Sequence, residues 1–194
     1  MRVHCLLLVT PKGFGRAFLT QRVALQGCRM VRLIPVDIAK LEDLLRDLKG
    51  GLREICSNDE QAHAFLSPFL QQSLDHHRRV QSREPWIGYF GIESEGNQFV
   101  GLCGFKRNPD ESGTVEIAYG TVPEFEGRGV ATEMAAELAR IALQSSAVRC
   151  VIAHTLPEEN ASGRVLQKVG MTNVGEVMDP DDGKVWRWEL KRHS

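Results

Sequence analysis

No stretch of this chain approaches the ~20 apolar residues that a membrane-crossing helix needs, so the sequence offers no helical span. It has no C-x-x-C pair. Its five cysteines, Cys5, Cys28, Cys56, Cys103 and Cys150, are odd in number and widely scattered. That pattern excludes a paired disulfide framework and a cysteine-based zinc site, and it fits a reducing compartment, so a cytoplasmic location is expected. Net charge is also lacking: 24 Lys and Arg stand against 25 Asp and Glu, a formal −1. No overall basic field exists to hold a nucleic acid or an anionic membrane. Internal repeats and low-complexity tracts are absent. What is present is ordinary globular composition, 42% hydrophobic and 25% charged, in 194 residues. That length fits one domain, and such a domain buries roughly 70% of its unfolded surface.

Charge is unevenly spread. Residues 1–29 carry Arg2, Lys12, Arg16, Arg22 and Arg29 and no acid, which is +5 and leaves −6 on the other 165 residues. Leu6–Val9 is a short apolar run that Pro11, Gly13 and Gly15 interrupt, too short for the core of a secretory signal. The segment fits a loose tail or sequence upstream of a start at Met30, an ordered extra element, or an organelle-targeting peptide. It has no periodic apolar face, so it is expected to lie outside the core, and the domain is expected over residues 30–194.

From Met30 onward the pattern predicts β-α-α-β-β-β-α-β-α-β-β, an α+β chain with a mixed sheet. Val31–Pro35 reads as a strand. Asp37 is placed to cap a helix with the stripe Ile38, Leu41, Leu44, Leu45 and Leu48, ended by Gly50-Gly51. A second helical region from Asn58 to Arg83 breaks near Pro68. Trp86–Ile92 and Gln98–Lys106 form a hairpin, and Thr114–Val122 a third strand. A long helix to Gln144 carries the stripe Ala131, Met134, Ala135, Leu138, Ala139 and Ala142. Val148–His154 reads as a buried strand. Pro157 suits the first turn of a helix over Glu158–Lys168, which Gly170 stops. Met171–Met178 and Lys184–Leu190 complete a last hairpin.

The third strand and the long helix meet at Gly127-Arg128-Gly129-Val130-Ala131. Glycines at a helix start cost stability, and close approach of a ligand to the backbone is one reason to accept that cost. Free N–H groups and the positive dipole end suit a phosphate, and a tight turn without a ligand suits the same residues.

The wider sequence resembles the GNAT superfamily of acetyl-CoA-dependent N-acetyltransferases, and most nearly its RimJ/RimL-type branch. One stretch carrying the likeness is Glu116-Ile117-Ala118-Tyr119, followed by Pro123-Glu124-Phe125-Glu126-Gly127-Arg128-Gly129-Val130-Ala131-Thr132-Glu133. The other is Asn160-Ala161-Ser162-Gly163-Arg164-Val165-Leu166-Gln167-Lys168-Val169-Gly170-Met171. The likeness spans about residues 30–191. It implies a three-layer fold around a mixed sheet of about seven strands, splayed where the third hairpin strand meets the next. It implies acetyl-CoA as co-substrate, with no metal, and an amine acceptor that is a protein N-terminus or a small molecule. The protein would be a monomer or homodimer. Thr121 and Val122 would face the pantetheine arm, Gly127, Arg128, Gly129, Val130, Ala131 and Thr132 would hold the pyrophosphate, and Asn160 would touch the cofactor. An acyl-CoA-binding regulatory module without catalysis is the rival. Glu126 replaces the usual Gln or Arg, Asn160 is one residue closer to Ser162 than in the branch, and Leu166 stands where many members carry a Tyr acid.

Acetyl transfer needs a deprotonated amine, a polarised thioester and a tolerated thiolate. Glu116 is the candidate base: on a strand it shares a face with the small Ala118 and Gly120. A solvated or structurally paired Glu is the plainer alternative. His76 and His77 are adjacent on a helix and point apart, so they read as solvated residues or the rim of a substrate pocket, and His154, at a strand end beside the expected cofactor cleft, reads as a packed or capped residue or one that assists proton traffic. Asp179, Asp181 and Asp182 lack calcium-loop spacing and read as a turn. The acceptor pocket is expected between residues 37–86 and the last hairpin.

Overall fold

The computed structural model describes residues 30–180 and 182–192. The expectations for residues 1–29, and for Asp181, lie outside that range. The elements run β1 (Val31–Val36), α1 (Ile38–Arg46), α2 (Leu48–Ile55), α3 (Asp59–Leu66), α4 (Leu70–Arg79), β2 (Gly88–Glu93), β3 (Phe99–Phe105), β4 (Thr114–Thr121), α5 (Val130–Gln144), β5 (Cys150–Thr155), α6 (Ala161–Val169), β6 (Thr172–Asp179) and β7 (Gly183–Lys191). A single 3₁₀ turn, Pro123–Phe125, leads from β4 toward α5.

Asp37 caps α1 as expected, its carboxylate accepting from the Lys40 N–H at 2.8 Å. The end of that helix differs from expectation. It stops at Asp47, whose own carboxylate accepts from the Gly50 N–H and caps α2. Gly50-Gly51 therefore lies inside a helix start, where a side chain at Gly51 would strike Leu44. Leu45, expected in the stripe, is exposed; Leu41, Leu44, Leu52 and Ile55 form the buried face of α1 and α2. The break near Pro68 separates α3 from α4. Asn58 leaves α3 uncapped and pairs instead with the Phe99 backbone, accepting from its N–H at 2.7 Å and donating to its C=O at 3.0 Å. In α5 the buried stripe is Val130, Met134, Ala135, Leu138, Ala139 and Ala142, with Ala131 half-buried. The helix expected from Glu158 begins later, because Asn160 Oδ1 accepts from the Gly163 N–H at 2.8 Å and sets the first turn.

The seven strands form one sheet in the order β1-β2-β3-β4-β5-β7-β6. Among the described strands only β4 and β5 pair in parallel, the mark of a crossover through α5. They pair at three positions, Thr114 with Cys150, Val115 with Val151 and Glu116 with Ile152, and then diverge. This is the expected splay. Helix α5 packs under one face, where Met134 fills the space left by Gly91 and Gly101. Helices α1, α3 and α4 stand over the other face. The whole is the α+β three-layer architecture expected from the sequence.

Arg192, just past β7, closes the C-terminal end of α5. Its guanidinium donates to the carbonyls of Leu143 and Ser145, each at 2.6 Å, and of Val148 at 3.0 Å. Carbonyls at a helix end lack intrahelical donors, and a cation there also opposes the dipole. Arg192→Ala is expected to lower unfolding stability by about 1–3 kcal/mol. A urea midpoint equal to that of the parent chain would show that water replaces the guanidinium without loss.

Candidate active site

The turn between β4 and α5 carries Gly127 at φ 73° and Gly129 at φ 90°, left-handed values that favour glycine. A Cβ at Gly127 would meet nothing within 4 Å, and one at Gly129 only the tip of Met30 at 4.0 Å. The loop is therefore open on its outer side. Gly129 is the N-cap residue of α5 and no side chain caps the helix. The first-turn N–H groups of Val130, Ala131 and Thr132 thus lack intrahelical acceptors. Glu133, the acid of that turn, accepts instead from the Val31 N–H at 3.0 Å. Arg128 is drawn back to the sheet: it pairs with Glu93 at 2.8 Å and lies 5.0 Å from the centre of the Phe125 ring. Glu126 is exposed.

Backbone polarity along β4 alternates. Val122 N–H donates to Val100 O, and Glu116 O accepts from Lys106 N–H, so the even-numbered residues bond toward β3. In an antiparallel ladder the intervening residues turn their groups the other way. Tyr119 and Thr121 therefore present backbone groups toward β5, beyond the point where pairing with β5 has ended. The hydroxyl of Thr121 is buried there with no partner. Val122, by contrast, has both backbone groups engaged, its carbonyl by Phe125 N–H. Asn160 uses Oδ1 for the α6 cap.

Glu116 stands where β4 and β5 part. One carboxylate oxygen, Oε1, accepts from Lys106 Nζ at 2.7 Å and faces His154 Nδ1 at 2.9 Å. With Nδ1–H donating, the imidazole places a lone pair on Nε2, which is buried and without a partner. Asp179 Oδ2 lies 3.9 Å from the same Nδ1. Burial alone raises the pKa of Glu116, but hydrogen bonds from His154 and Lys106 and the Lys106 charge outweigh it and hold the carboxyl below its ordinary value. Glu116 is legible in the sequence as a candidate base and His154 as a packed residue or a helper in proton traffic, whereas nothing in the sequence points to Lys106. That residue reaches Glu116 through the β3–β4 register, in which Phe105 faces Ile117.

A cavity of about 900 Å³ opens beside Glu116. Leu41, Leu66, Phe69 and Leu70 come from the helices, Phe90, Leu102 and Ala118 from the sheet, and Asp179 and Asp182 from the β6–β7 turn. No residue of the glycine loop lines it. Strand β4 borders both this cavity and the point where pairing with β5 ends, and the cavity lies where the acceptor pocket was expected.

The histidine pair is committed to separate partners. His76 Nε2 contacts Lys106 O at 2.6 Å and His77 Nδ1 contacts Ser82 Oγ at 2.7 Å. Among the described residues no group of three or more His, Cys, Asp and Glu is placed to hold a metal. Burial, helped by the His76 charge, lowers the pKa of His77 to about 4. A histidine held neutral by the fold contributes stability above its unfolded pKa, near 6.5, and that contribution fades as pH falls toward 4. The melting temperature should therefore drop between pH 6.5 and 4, and the drop should be shallower in His77→Gln. An identical slope in the two chains would place the titration elsewhere.

The splayed sheet and the open glycine loop have counterparts in known proteins. The family model of the acetyltransferase (GNAT) domain matches residues 33–172, so the chain belongs to the GNAT acetyltransferases and is an N-acetyltransferase. An uncharacterised N-acetyltransferase, YjdG of Bacillus subtilis, is 26% identical over 145 residues, which is 72% of this chain and 84% of that protein. A Salmonella typhimurium acetyl transferase that modifies the N-terminal serine of ribosomal protein L7/L12 superposes with TM-score 0.57 at 15% identity, over 86% of this chain and 97% of its own. The aminoglycoside acetyltransferase AAC(6')-Ib, solved with coenzyme A, superposes with TM-score 0.58 at 16% identity, over 84% and 95%. No helix among the described residues is long and apolar enough to cross a membrane.

Proposed function

We propose that this chain moves the acetyl group of acetyl-CoA to a primary amine lodged in the cavity, by direct attack in a ternary complex. The observation that carries the reading is the position of Glu116, on the one strand that borders both the splayed gap and the cavity. The site fits the co-substrate. The β4–β5 gap offers backbone groups of Tyr119 and Thr121 to a pantetheine arm, and the uncapped start of α5 offers the N–H groups of Val130 to Thr132 to a pyrophosphate. Gly127 and Gly129 keep that approach clear. Arg128, tied to Glu93, adds positive charge nearby. Asn160, at the start of α6, retains its amide nitrogen for the cofactor while Oδ1 caps the helix.

Acetyl-CoA supplies the thioester carbonyl. Glu116 receives the amine proton, directly or through one water. Lys106 and His154 hold its Oε1, and Oε2 is the oxygen that would take the proton. The amine nitrogen bonds to the carbonyl carbon as the C–S bond breaks and the sulfur leaves as thiolate. Leu166 is fully buried and hydrocarbon, so no phenol at that position protonates the sulfur. A covalent cysteine route has no support among the described thiols. Burial raises the pKa of Cys56, Cys103 and Cys150, the opposite of an activated thiolate.

The test is release of free thiol from acetyl-CoA with a panel of primary amines, beside calorimetric binding of acetyl-CoA. Amine-dependent release is expected. Tight acetyl-CoA binding with no release for any amine would reduce the chain to a binding module.

A further inference from the structure

The charges around the cavity are sorted by strand order. Among the described residues its acids are Glu116 on β4 and Asp179 and Asp182 at the β6–β7 turn, so the turn pair comes from the β5 side of β4. Its arginines come from the other side: Arg79 ends α4, and Arg107 follows β3. His76 joins those two elements, with Nε2 on Lys106 O at 2.6 Å and Nδ1 facing Arg79 Nη2 at 3.2 Å. An imidazole carries no negative charge, so the contact orients Arg79 without neutralising it. Arg107 has no ion pair with any described residue. The adjacent Arg78 shows the contrast, since Glu42 pairs with it. Lys106, the remaining cation of the lining, is paired with Glu116 at the centre.

Among the described residues the cavity thus presents acids on one side and two arginines without an acid partner on the other, and Leu41, Leu70 and Phe90 add apolar surface to its lining. Its volume, about 900 Å³, is at the upper end for a small-ligand site. A polycation would bring positive charge against Arg79 and Arg107, and like charges across a site are a common means of rejection. An anionic group there gains charge-assisted hydrogen bonds from the planar guanidinium forks.

We propose that the acceptor is a small amine with an apolar or aromatic body and an anionic group, a carboxylate or a phosphate. Its amine lies toward Glu116 and Asp179 and its anion toward Arg79 and Arg107. This rests on the transferase reading above and narrows it to a substrate class. The anion takes no part in the chemistry: the nitrogen loses its proton to Glu116 and gains the acetyl group, and the thiolate leaves.

The experiment compares two matched pairs, L-phenylalanine with L-phenylalaninamide and tyramine phosphate with tyramine, together with spermidine. Thiol release is expressed per neutral amine. At least one anionic member is expected to exceed its neutral partner by about tenfold or more in kcat/KM, and the pair that does so identifies the anion. Both arginines are exposed, so the double variant Arg79→Gln with Arg107→Gln should keep its fold and its acetyl-CoA affinity. In that variant the ratio should fall to about one, through a higher KM for the anionic amine. Equal rates within both pairs, a preference for spermidine, or an unchanged ratio in the double variant would overturn the inference. Should acetyl-CoA bind while no amine releases thiol, the transferase reading fails by itself. Calorimetry with the same amines then decides this one: anionic members that bind the parent chain and not the double variant sustain it, and absence of binding ends it.

Discussion

Glu116→Gln should cut turnover by about 10²–10⁴-fold, the usual cost of removing a general base, while acetyl-CoA binds as before. The amide keeps the shape and an oxygen for Lys106 and His154 but cannot take the amine proton. Part of the loss should return at high pH, where more of the amine is already neutral; an alkylammonium resembling Lys has a pKa near 10.4. The same substitution has a signature in stability. Glu116 is held below its ordinary pKa by the fold, so it stabilises above its unfolded pKa, and that contribution is lost as pH falls through the folded value. The variant should therefore melt with less acid dependence on the low side of the carboxylate range. Turnover within about threefold of the parent at neutral pH, under ~1 kcal/mol of barrier, would make Glu116 structural and give the proton to solvent.

Gly129→Val should weaken acetyl-CoA binding by at least about tenfold, or ~1.4 kcal/mol. Two effects combine. A β-branched residue at φ 90° is strained, at a cost on the order of 1–3 kcal/mol. Its side chain also fills the open space outside the loop, beside the free N–H groups of α5. Gly170→Val separates the two: Gly170 has φ 91° and nothing within 4 Å of a Cβ, but it ends α6 instead of starting α5. That control should lose stability and keep affinity. If calorimetry finds the folded Gly129→Val chain binding as tightly as the parent, the pyrophosphate sits elsewhere.

Local signals in the sequence are legible where one residue decides the outcome. Asp37 before an apolar stripe marks the start of α1, Gly170 marks the end of α6, and strand parity alone puts Glu116 with Ala118 on the cavity face. The local pattern misleads where two signals compete. Gly50-Gly51 resembles a stop, yet Asp47 three residues earlier both ends one helix and caps the next. Pro157 resembles a start, yet the Asn160 cap sets the first turn of α6. The partners of Glu116 were not legible at all. Lys106 follows β3 and His154 lies on β5, so their meeting depends on the register of three strands, and nothing local encodes it.

The sheet is joined at its middle by only three paired positions between β4 and β5. On one side stand four strands and on the other three, with α5 packed across both. A molecule lying in the gap would stand in for missing ladder partners, so its binding energy is also energy of cohesion between two half-sheets. By mass action, a co-substrate at a hundred times its dissociation constant would add about 2.7 kcal/mol to global stability. That gain should be concentrated at the seam. The amides of Tyr119 and Thr121 should exchange with solvent deuterium early in the free protein and slowly once acetyl-CoA is bound, while those of β2 and β3 change little. The free enzyme would then be two rigid half-sheets with a soft hinge, and the co-substrate would lock the hinge before the amine is acetylated.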